Sequence, residues 1–289
     1  MNKTLTAKNK HSNILITGCS SGIGLCAAQL LDQRGYNVIA TVRKMEDALA
    51  LQQQGITTTE LDLGDSESIN QAVRFTLAHF DGQIDVLFNN AAYGQPGAIE
   101  DLSRNVLRQQ FETNVFGTQE LTNLILSQMR QQGRGRIIYN SSVLGLVSMA
   151  YRGAYNASKY AIEGLADTLR LELHDIDIHI SLIEPGPIVS QFRANAFIKY
   201  QQNIDKTKSA HSKVYNAMEQ RLIKPGPVAP FTLPAEAVVN KLIHAIESKR
   251  PKIRYYVTFP TYLLATLKRI LPHRCLDWLL IKISKGENK

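Results

Sequence analysis

Short apolar runs alternate with helical patterns along most of this 289-residue chain. The runs are rich in β-branched residues, as strands favour, and cover residues 13–17, 36–42, 56–63, 84–90, 136–141 and 178–183. Several segments between them repeat apolar residues at helical spacing, over residues 69–80, 104–129 and 154–173. Strands that alternate with helices form parallel sheets with helices on both faces. The alternation therefore predicts one α/β domain built on a doubly wound, mostly parallel sheet.

Four residues that suit a ligand site stand where predicted strands end: Gly18, Asn90, Ser142 and Pro185. The carboxyl ends of parallel strands lie along one edge of a sheet, and ligands bind in the crevice beside that edge. We therefore expect these four positions to converge on one crevice.

The first predicted strand runs into a glycine-rich turn with the spacing G-x-x-x-G-x-G, and a helical pattern follows. Glycine lets the backbone approach a pyrophosphate closely, and a helix N-terminus offers free N–H groups and a positive dipole end. By itself, such a turn is equally compatible with a purely structural strand-to-helix connection. Its functional interpretation is a Rossmann-like dinucleotide site with contacts from Gly18, Ser20, Ser21, Gly22, Ile23 and Gly24.

The second predicted strand leads to Arg43, close to where dinucleotide-binding folds place the residue that reads the adenosine ribose. Enzymes that use NAD usually have an Asp or Glu there, which binds the ribose 2′-OH. A guanidinium can instead pair with a 2′-phosphate, which a carboxylate would repel. Arg43 therefore favours NADP(H) over NAD(H), with a solvated surface arginine as the alternative.

Tyr155 and Lys159 are four residues apart in a segment with helical spacing, so they share one face of a helix. The unperturbed pKa of a tyrosine is about 10, and a neighbouring ammonium favours the phenolate. We therefore expect Lys159 to lower the pKa of Tyr155 toward neutrality. Ser142 follows the fifth predicted strand and could face Tyr155, where its hydroxyl would hydrogen-bond a substrate carbonyl. A Tyr-x-x-x-Lys pattern also arises by chance in many helices.

Cysteine usage, the N-terminus and the charge distribution limit the function classes. Three cysteines without C-x-x-C spacing fit a reducing cytosol better than a disulfide framework, and we expect no metal site. Residues 1–12 are polar and lack the apolar core of a signal peptide, so we expect a flexible tail and a cytoplasmic protein.

Residues 241–289 hold eleven Lys or Arg and three Asp or Glu, which accounts for the whole formal charge of +8. The balanced remainder argues against a nucleic-acid-binding surface.

Two segments lie outside the regular alternation. Residues 187–232 combine weak periodicity with scattered aromatic residues, and we expect an irregular lid beside the crevice, or else a plain surface excursion. Residues 258–289 form a basic extension with two short amphipathic helical stretches separated by Pro272. They either pack as a cap over the substrate crevice, which we favour, or lie on an anionic membrane. The catalytic domain would then span residues 13–257.

These motifs together resemble the short-chain dehydrogenase/reductase family over about residues 12–250. The resemblance rests on T-G-x-x-x-G-I-G at residues 17–24, on N-N-A at 89–91, on the Pro-Gly pair at 185–186 and on a catalytic tetrad. The residues that match the tetrad are Asn114, Ser142, Tyr155 and Lys159. The most similar branch includes relatives of 17β-hydroxysteroid and retinol dehydrogenases and bacterial NADP-dependent aldehyde reductases.

The resemblance implies a role for each matching residue. Tyr155 would be the acid–base residue, Ser142 would orient the carbonyl, and Lys159 would hold the nicotinamide ribose. Asn114 would hold a water in a proton relay, and Asp62 would contact adenine. The further cofactor contacts would be Leu63, Asn90, Ala91, Tyr155, Lys159, Pro185, Gly186 and Ile188. A homodimer or homotetramer would form through the helices that begin near residues 104 and 154.

We therefore expect an NADP(H)-dependent reductase in which hydride passes between the nicotinamide and a carbonyl while Tyr155 supplies the proton. The scattered aromatic residues of 187–232 and the apolar C-terminal stretches favour a lipophilic substrate, such as a retinoid-, steroid- or fatty-aldehyde-like carbonyl or alcohol. Two alternatives belong to other classes. One is a non-catalytic dinucleotide-binding regulatory protein, and the other is a protein held at a membrane surface by its basic tail.

Overall fold

A computed structural model of the protein describes residues 12–287, so the tail predicted for residues 1–12 falls almost wholly outside the described residues. The strands are β1 (Asn13–Ile16), β2 (Asn37–Val42), β3 (Thr57–Glu60), β4 (Val86–Asn89), β5 (Arg134–Asn140), β6 (Asp177–Glu184) and β7 (Arg254–Tyr256). The helices of the first part are α1 (Gly22–Gln33), α2 (Leu49–Gln52), α3 (Ser66–His79), α4 (Arg104–Phe111), α5 (Thr118–Gln132) and α6 (Gly153–Glu172). The later helices are α7 (Phe192–Asn203), α8 (Ser212–Ile223), α9 (Glu236–Glu247), α10 (Phe259–Ile270) and α11 (His273–Glu287).

The strands that the structure describes form one parallel sheet in the order β3-β2-β1-β4-β5-β6-β7. The chain builds the sheet outward from β1, first through β2 to β3 and then in the other direction through β4 to β7. This order confirms the doubly wound α/β fold predicted from the alternation. It also places the glycine turn after β1 beside the loop after β4, at the point where the strand order reverses.

Each face of the sheet has its own apolar core, because successive side chains of a strand point to opposite faces. Ile14 and Ile16 of β1 pack on one face with Leu31 of α1 and Leu242 of α9, and all four are fully buried. Leu15 packs on the opposite face with residues of α3, α5 and α6. Burial of both faces explains why the central strands are continuous apolar runs in the sequence.

The helix predicted over residues 104–129 contains an irregular turn. A π-helical segment, Glu112–Gly117, joins α4 to α5. Gly117 ends this segment where the helix passes the backbone after β3. A Cβ on Gly117 would lie 1.7 Å from the carbonyl oxygen of Leu63, so only a glycine allows this approach.

Replacing Gly117 by Ala is expected to lower the free energy of unfolding by about 1–3 kcal/mol, because the new methyl group has to displace backbone. Gly286 in α11 is a matched control, since a Cβ there meets nothing within 4 Å. Gly286→Ala should leave stability unchanged or raise it by less than about 1 kcal/mol. Urea unfolding followed by circular dichroism measures both variants, and equal stabilities would refute the close approach.

The irregular structure predicted for residues 187–232 is wrong, because this segment contains α7 and α8. The two helices bury Tyr200 and Tyr215 in a small core that includes Ala98. Of α7, only Ala196 and Tyr200 are buried, so its sequence shows no continuous apolar face that would predict a helix.

The C-terminal amphipathic stretches form α10 and α11, one on each side of Pro272. Leu264 of α10 and Leu276 and Leu280 of α11 are buried together with Val147, which follows the loop after β5. The extension therefore packs on the domain through its inner side. Within residues 12–287, we find no helix whose length and apolar character would let it cross a bilayer.

Candidate active site

The glycine turn after β1 is held by close backbone contacts. Gly18 has a φ of +72°, and a Cβ there would lie 2.9 Å from the Cα of Ala91. A Cβ on Gly24 would lie 2.1 Å from the carbonyl oxygen of Gly18, because α1 begins directly against the turn. A side chain at either position would force the turn open, so both glycines are required for its shape.

The start of α1 suits a phosphate group. Ser21 occupies the N-cap position without a side-chain capping hydrogen bond, and the first turn contains no acidic residue. Gly22 has a φ of +57°, and a Cβ there would lie 3.0 Å from the Cβ of Ser190. Free N–H groups at a helix N-terminus bind phosphate, and the absence of side chains lets it approach. The residues of this turn therefore fit the pyrophosphate of a dinucleotide.

Asn90 connects the loop after β4 to the glycine turn. Its side-chain amide donates to the carbonyl oxygens of Thr17 and Gly18, at 2.9 and 3.2 Å. Its side-chain oxygen accepts a hydrogen bond from the Asn140 amide at 2.9 Å. The backbone N–H groups of Asn90 and Ala91 both donate to the Thr17 hydroxyl at 2.9 Å. These bonds join the carboxyl ends of β1, β4 and β5 at one place, as the strand-end pattern predicts.

Ser142 and Tyr155 contact each other at this edge of the sheet. Ser142 lies two residues after β5, and its hydroxyl accepts a hydrogen bond from the Leu144 N–H at 3.1 Å. The same hydroxyl hydrogen-bonds the phenol of Tyr155, which lies in the first turn of α6. The structure therefore brings together a strand end and a helix start whose side chains can both hydrogen-bond one carbonyl oxygen.

The structure does not show the decrease in the pKa of Tyr155 that we expect from Lys159. Burial raises the pKa of Tyr155, and the Ser142 hydrogen bond and the charge of Arg152 offset only part of this increase. The Lys159 ammonium lies 5.6 Å from the centre of the Tyr155 ring and donates to the Asn140 carbonyl oxygen at 2.7 Å. Tyr155 therefore keeps its proton at neutral pH, which is the form that can protonate a carbonyl oxygen.

Lys159 is itself perturbed by its surroundings. Only 5% of the residue is exposed, and burial lowers its pKa to about 8. The carboxylate of Glu163, one turn further along α6, opposes this decrease. A pKa of about 8 leaves most of the ammonium charged at neutral pH.

Asn114 joins the π-helical segment to the loop after β4 and to α6. Its side-chain oxygen accepts a hydrogen bond from the Tyr93 N–H at 3.1 Å. Its amide donates to the Tyr93 carbonyl oxygen at 2.9 Å and to the Ser158 hydroxyl at 3.1 Å. A π-helical turn often marks a functional position within a helix. Asn114 positions this loop beside Tyr155, and its role in holding a water stays a prediction.

The residues expected on the adenosine side lie at the ends of β2 and β3. Arg43 follows β2 directly and is exposed. It is two residues after Thr41, whose carbonyl oxygen accepts a hydrogen bond from the Cys19 N–H of the glycine turn at 2.7 Å. Asp62 lies shortly after β3, and its carboxylate accepts a hydrogen bond from the Gly64 N–H at 2.8 Å. Because β1, β2 and β3 are parallel neighbours, Arg43 and Asp62 lie at the same edge as the turn.

The loop after β6 borders the crevice next to the Ser142 loop. The Pro185 carbonyl oxygen accepts a hydrogen bond from the Val143 N–H, next to Ser142, at 2.8 Å. A Cβ on Gly186 would lie 2.1 Å from the Thr258 hydroxyl, so the loop packs closely against the start of α10. Further along, the loop reaches Ser190, which approaches the glycine turn. The structure thus places the expected Pro-Gly pair beside the Ser142 loop, and the same loop reaches the glycine turn at Ser190.

Phe192, the first residue of α7, covers part of the site. Its ring meets the Tyr155 ring edge to face, with the ring centres 5.2 Å apart. A Cβ on Gly94 would lie 2.8 Å from the same ring. Phe192 therefore fits here because residue 94 has no side chain. The 187–232 segment therefore borders Tyr155, although it is helical rather than irregular. Sequence patterns did not distinguish Phe192 from the other scattered aromatic residues.

A buried ion cluster lies behind the Ser142 loop. Arg254 of β7 forms ion pairs with three carboxylates: Glu184 at 2.6 Å, Asp167 at 2.6 Å, and Glu163. Ser141, which follows β5, donates a hydrogen bond to Glu163. Glu184 is fully buried, and burial together with the charge of Glu163 raises its pKa to about 8. One guanidinium does not neutralise three carboxylates, so the cluster retains a proton at neutral pH.

The sequence contains a signal for one member of this cluster. Glu163 follows Lys159 by four residues, so the two share a helix face next to the predicted site. Arg254 has no such signal, because its partners are at least seventy positions away and only the sheet order brings them together.

The chain shows clear similarity to known proteins. A family model described as short chain dehydrogenase matches residues 12–201. The uncharacterized oxidoreductase YbbO of Escherichia coli (strain K12) is 42% identical over 276 residues, which cover 96% of each protein. Human retinol dehydrogenase 8 is 32% identical over 272 residues, covering 89% of this chain and 85% of that protein. The crystal structure of a short-chain dehydrogenase from Streptomyces avermitilis has a TM-score of 0.76 and 27% identity, covering 95% of this chain and 98% of that one.

The fold and the converging strand ends define a parallel α/β protein with a dinucleotide-type crevice. The family match and the similarity to YbbO show that the chain belongs to the short-chain dehydrogenase/reductase family of oxidoreductases.

Proposed function

We propose that the protein is an NADP(H)-dependent reductase of carbonyl compounds. The observation that carries this proposal is the contact between the Ser142 and Tyr155 hydroxyl groups beside the glycine turn. NADP(H), when bound, supplies or accepts the hydride. Ser142 orients the carbonyl oxygen, Tyr155 donates its proton to that oxygen, and Lys159 holds the cofactor ribose.

The protonation states of the site support reduction near neutral pH. Burial raises the pKa of Tyr155 and lowers that of Lys159 to about 8, so the phenol is protonated and most of the ammonium is charged. A neutral phenol and a nearby cation together stabilise the negative charge that develops on a carbonyl oxygen. A cytoplasmic location, which we also propose, would supply NADPH for this direction.

The residues that we propose to hold the cofactor lie at the carboxyl ends of β1, β2, β3, β4 and β6, on the first turn of α1, or on the first two turns of α6. Those near the pyrophosphate are Gly18, Ser20, Ser21, Gly22, Ile23 and Gly24. Those on the adenosine side are Arg43, Asp62 and Leu63. Those on the nicotinamide side are Asn90, Ala91, Tyr155, Lys159, Pro185, Gly186 and Ile188.

Arg43→Asp should shift the cofactor preference from NADPH toward NADH by roughly 10- to 100-fold in the ratio of kcat/KM values. The expected size is that of one charge-assisted hydrogen bond to the 2′-phosphate. Arg43 is exposed at the end of β2, so the variant should fold normally. Arg250→Asp makes the same charge change at an exposed position after α9 and should leave the ratio unaltered. An unaltered ratio in Arg43→Asp would reject the NADP assignment.

A lipophilic aldehyde or ketone is the proposed substrate class. Phe192 places an aromatic ring against Tyr155. The similarity to human retinol dehydrogenase 8 supports a retinoid-like member of this class. NADPH consumption with a panel of retinoid-, steroid- and fatty-aldehyde-like carbonyls tests it. A preference for small polar carbonyls would contradict the proposal.

We also propose a homodimer or homotetramer formed through the α4–α5 helix and α6. Large apolar residues on these helices are exposed in the single chain, among them Phe116, which is 53% exposed, and Leu171, which is 63% exposed. Burial of such residues against a second copy would stabilise an assembly. Sedimentation analysis of the wild type and of Leu171→Glu tests this surface.

A further inference from the structure

The outer side of α10 exposes four large apolar residues. Phe259, Tyr262, Leu263 and Ile270 are 57%, 49%, 43% and 67% exposed. Their spacing of three, four and eleven residues from Phe259 places them on one side of the helix. The buried residues Leu264 and Ala265 lie on the other side. Packing on the domain therefore uses only the inner face of α10.

The outer side of α11 combines apolar and basic residues. Trp278 and Ile281 are 59% and 53% exposed, and Arg274 and Lys285 share their face by helical spacing. The ammonium of Lys282 lies 3.8 Å from the centre of the Trp278 ring. An indole with a long cationic side chain beside it is the combination that suits a membrane–water interface.

Exposed apolar residues are concentrated in this part of the chain. Among the described residues, six of the nineteen large exposed apolar side chains lie within residues 259–286. The same 28 residues contain five Lys or Arg and one Asp. Phe231 enlarges the apolar area, since its exposed ring lies 5.0 Å from that of Phe259.

We propose that the outer surface of α10 and α11 docks on an anionic lipid bilayer, with both helices lying along the membrane surface. Apolar residues would enter the interface while Arg269, Arg274, Lys282 and Lys285 meet anionic headgroups. The inner side of α10 and α11 packs on Val143 and Val147, next to the Ser142 loop. Docking therefore brings the rim of the crevice close to the bilayer.

Charge favours lipid over a second copy of the chain. A symmetric dimer through this surface would place the cations of one copy near those of the other, which is unfavourable. An anionic bilayer neutralises the same cations and also accepts Trp278 and Ile281. The proposal does not depend on the reaction, because membrane binding can be measured without turnover.

Flotation of the purified full-length protein with vesicles tests the proposal. One set of vesicles is phosphatidylcholine alone, and the other contains about one-third phosphatidylglycerol. We expect the protein to float with the anionic vesicles and to bind the neutral ones at least about tenfold more weakly, since each cation near the surface contributes to binding.

Two double variants separate the apolar and the basic contributions. Trp278→Ser with Ile281→Ser, and Lys282→Glu with Lys285→Glu, should each weaken binding to anionic vesicles by about tenfold or more. These side chains are exposed, so thermal stability and turnover of a water-soluble aldehyde should match the wild type.

Matched controls make the same chemical changes elsewhere on the surface. Phe75→Ser removes an exposed aromatic ring on α3, and Lys249→Glu with Arg250→Glu reverses two exposed charges after α9. Both controls should bind vesicles like the wild type. Equal binding to neutral and anionic vesicles, or equal losses in the controls, would overturn the proposal. The proposal would also be overturned if the wild type did not bind vesicles but formed a dimer, and if the Trp278→Ser, Ile281→Ser variant abolished that dimer.

Discussion

Replacing Tyr155 by Phe is expected to lower kcat for carbonyl reduction by about 10²- to 10⁴-fold, the usual contribution of a general acid. The variant keeps the ring that contacts Phe192 and loses only the hydroxyl that contacts Ser142. NADPH binding should remain nearly intact, because most expected cofactor contacts come from the glycine turn, Arg43 and Lys159. The experiment therefore measures kcat with an aldehyde and the dissociation constant of NADPH by fluorescence titration.

Tyr160→Phe is the matched control for this prediction. Tyr160 lies on the same helix, and its hydroxyl donates to the Leu146 carbonyl oxygen at 2.7 Å instead of to the site. Its loss should leave kcat near the wild-type value. If Tyr155→Phe turns over as fast as Tyr160→Phe, another group donates the proton and the assignment of Tyr155 is wrong.

Replacing Arg254 by Met is expected to lower the free energy of unfolding by about 3–5 kcal/mol, because it leaves buried carboxylates without their cation. Glu184 is fully buried and the side chain of Glu163 is 9% exposed, so water does not replace the guanidinium. Arg74→Met is the control, since Arg74 and its partner Glu67 are both 65% exposed. Removing that surface pair should leave stability close to that of the wild type.

The pH dependence of this loss has a defined sign. The pKa of Glu184 in the folded protein is about 8, above its ordinary value, so the folded state binds this proton more tightly than the unfolded state. Its contribution is present at low pH and is lost as pH rises toward about 8. Without Arg254, the folded-state pKa values of Glu163 and Glu184 rise further, so Arg254→Met should be least stable, relative to the wild type, at high pH.

Urea unfolding at about pH 5.5 and about pH 8 measures this difference. The loss caused by Arg254→Met should be smaller at the lower pH, and adding Glu184→Gln should restore part of the stability. A loss no larger than that of Arg74→Met, or one that grows as pH falls, would contradict the assigned cluster.

The central part of the fold is predictable from the sequence because each strand is a continuous apolar run that ends at a distinctive residue. Gly18, Asn90 and Ser142 follow β1, β4 and β5, and parallel pairing places such ends along one edge. Four-residue spacing likewise places Tyr155 and Lys159 on one helix face.

Other features depend on packing that no local pattern encodes. The helix α7 buries only two residues, so its sequence lacks a clear apolar face, and Phe192 reaches Tyr155 only because α7 begins there. The four-residue spacing also predicts that Lys159 lies near Tyr155. It does not predict how deeply the two side chains are buried. Burial dominates the pKa of Tyr155, and therefore reverses the expected direction of its change.

The C-terminal extension shows a limit of amphipathic patterns. The sequence presents packing on the domain and membrane binding as alternatives, whereas the structure shows that α10 has both a buried and an exposed apolar face. Leu264 is buried by the domain, and Ile270 on the outer side is 67% exposed. When a helix has apolar residues on two sides, the sequence pattern alone does not show which side packs on the domain and which side is exposed.

The most direct test follows the transferred hydrogen. An aldehyde is incubated with NADPH carrying deuterium at the transferable C4 position, and the alcohol product is analysed by mass spectrometry for the wild type and for Tyr155→Phe. The account predicts one deuterium on the carbinol carbon of the wild-type product and almost no product from the variant. Product without deuterium, or labelled product formed at the wild-type rate by Tyr155→Phe, would contradict it.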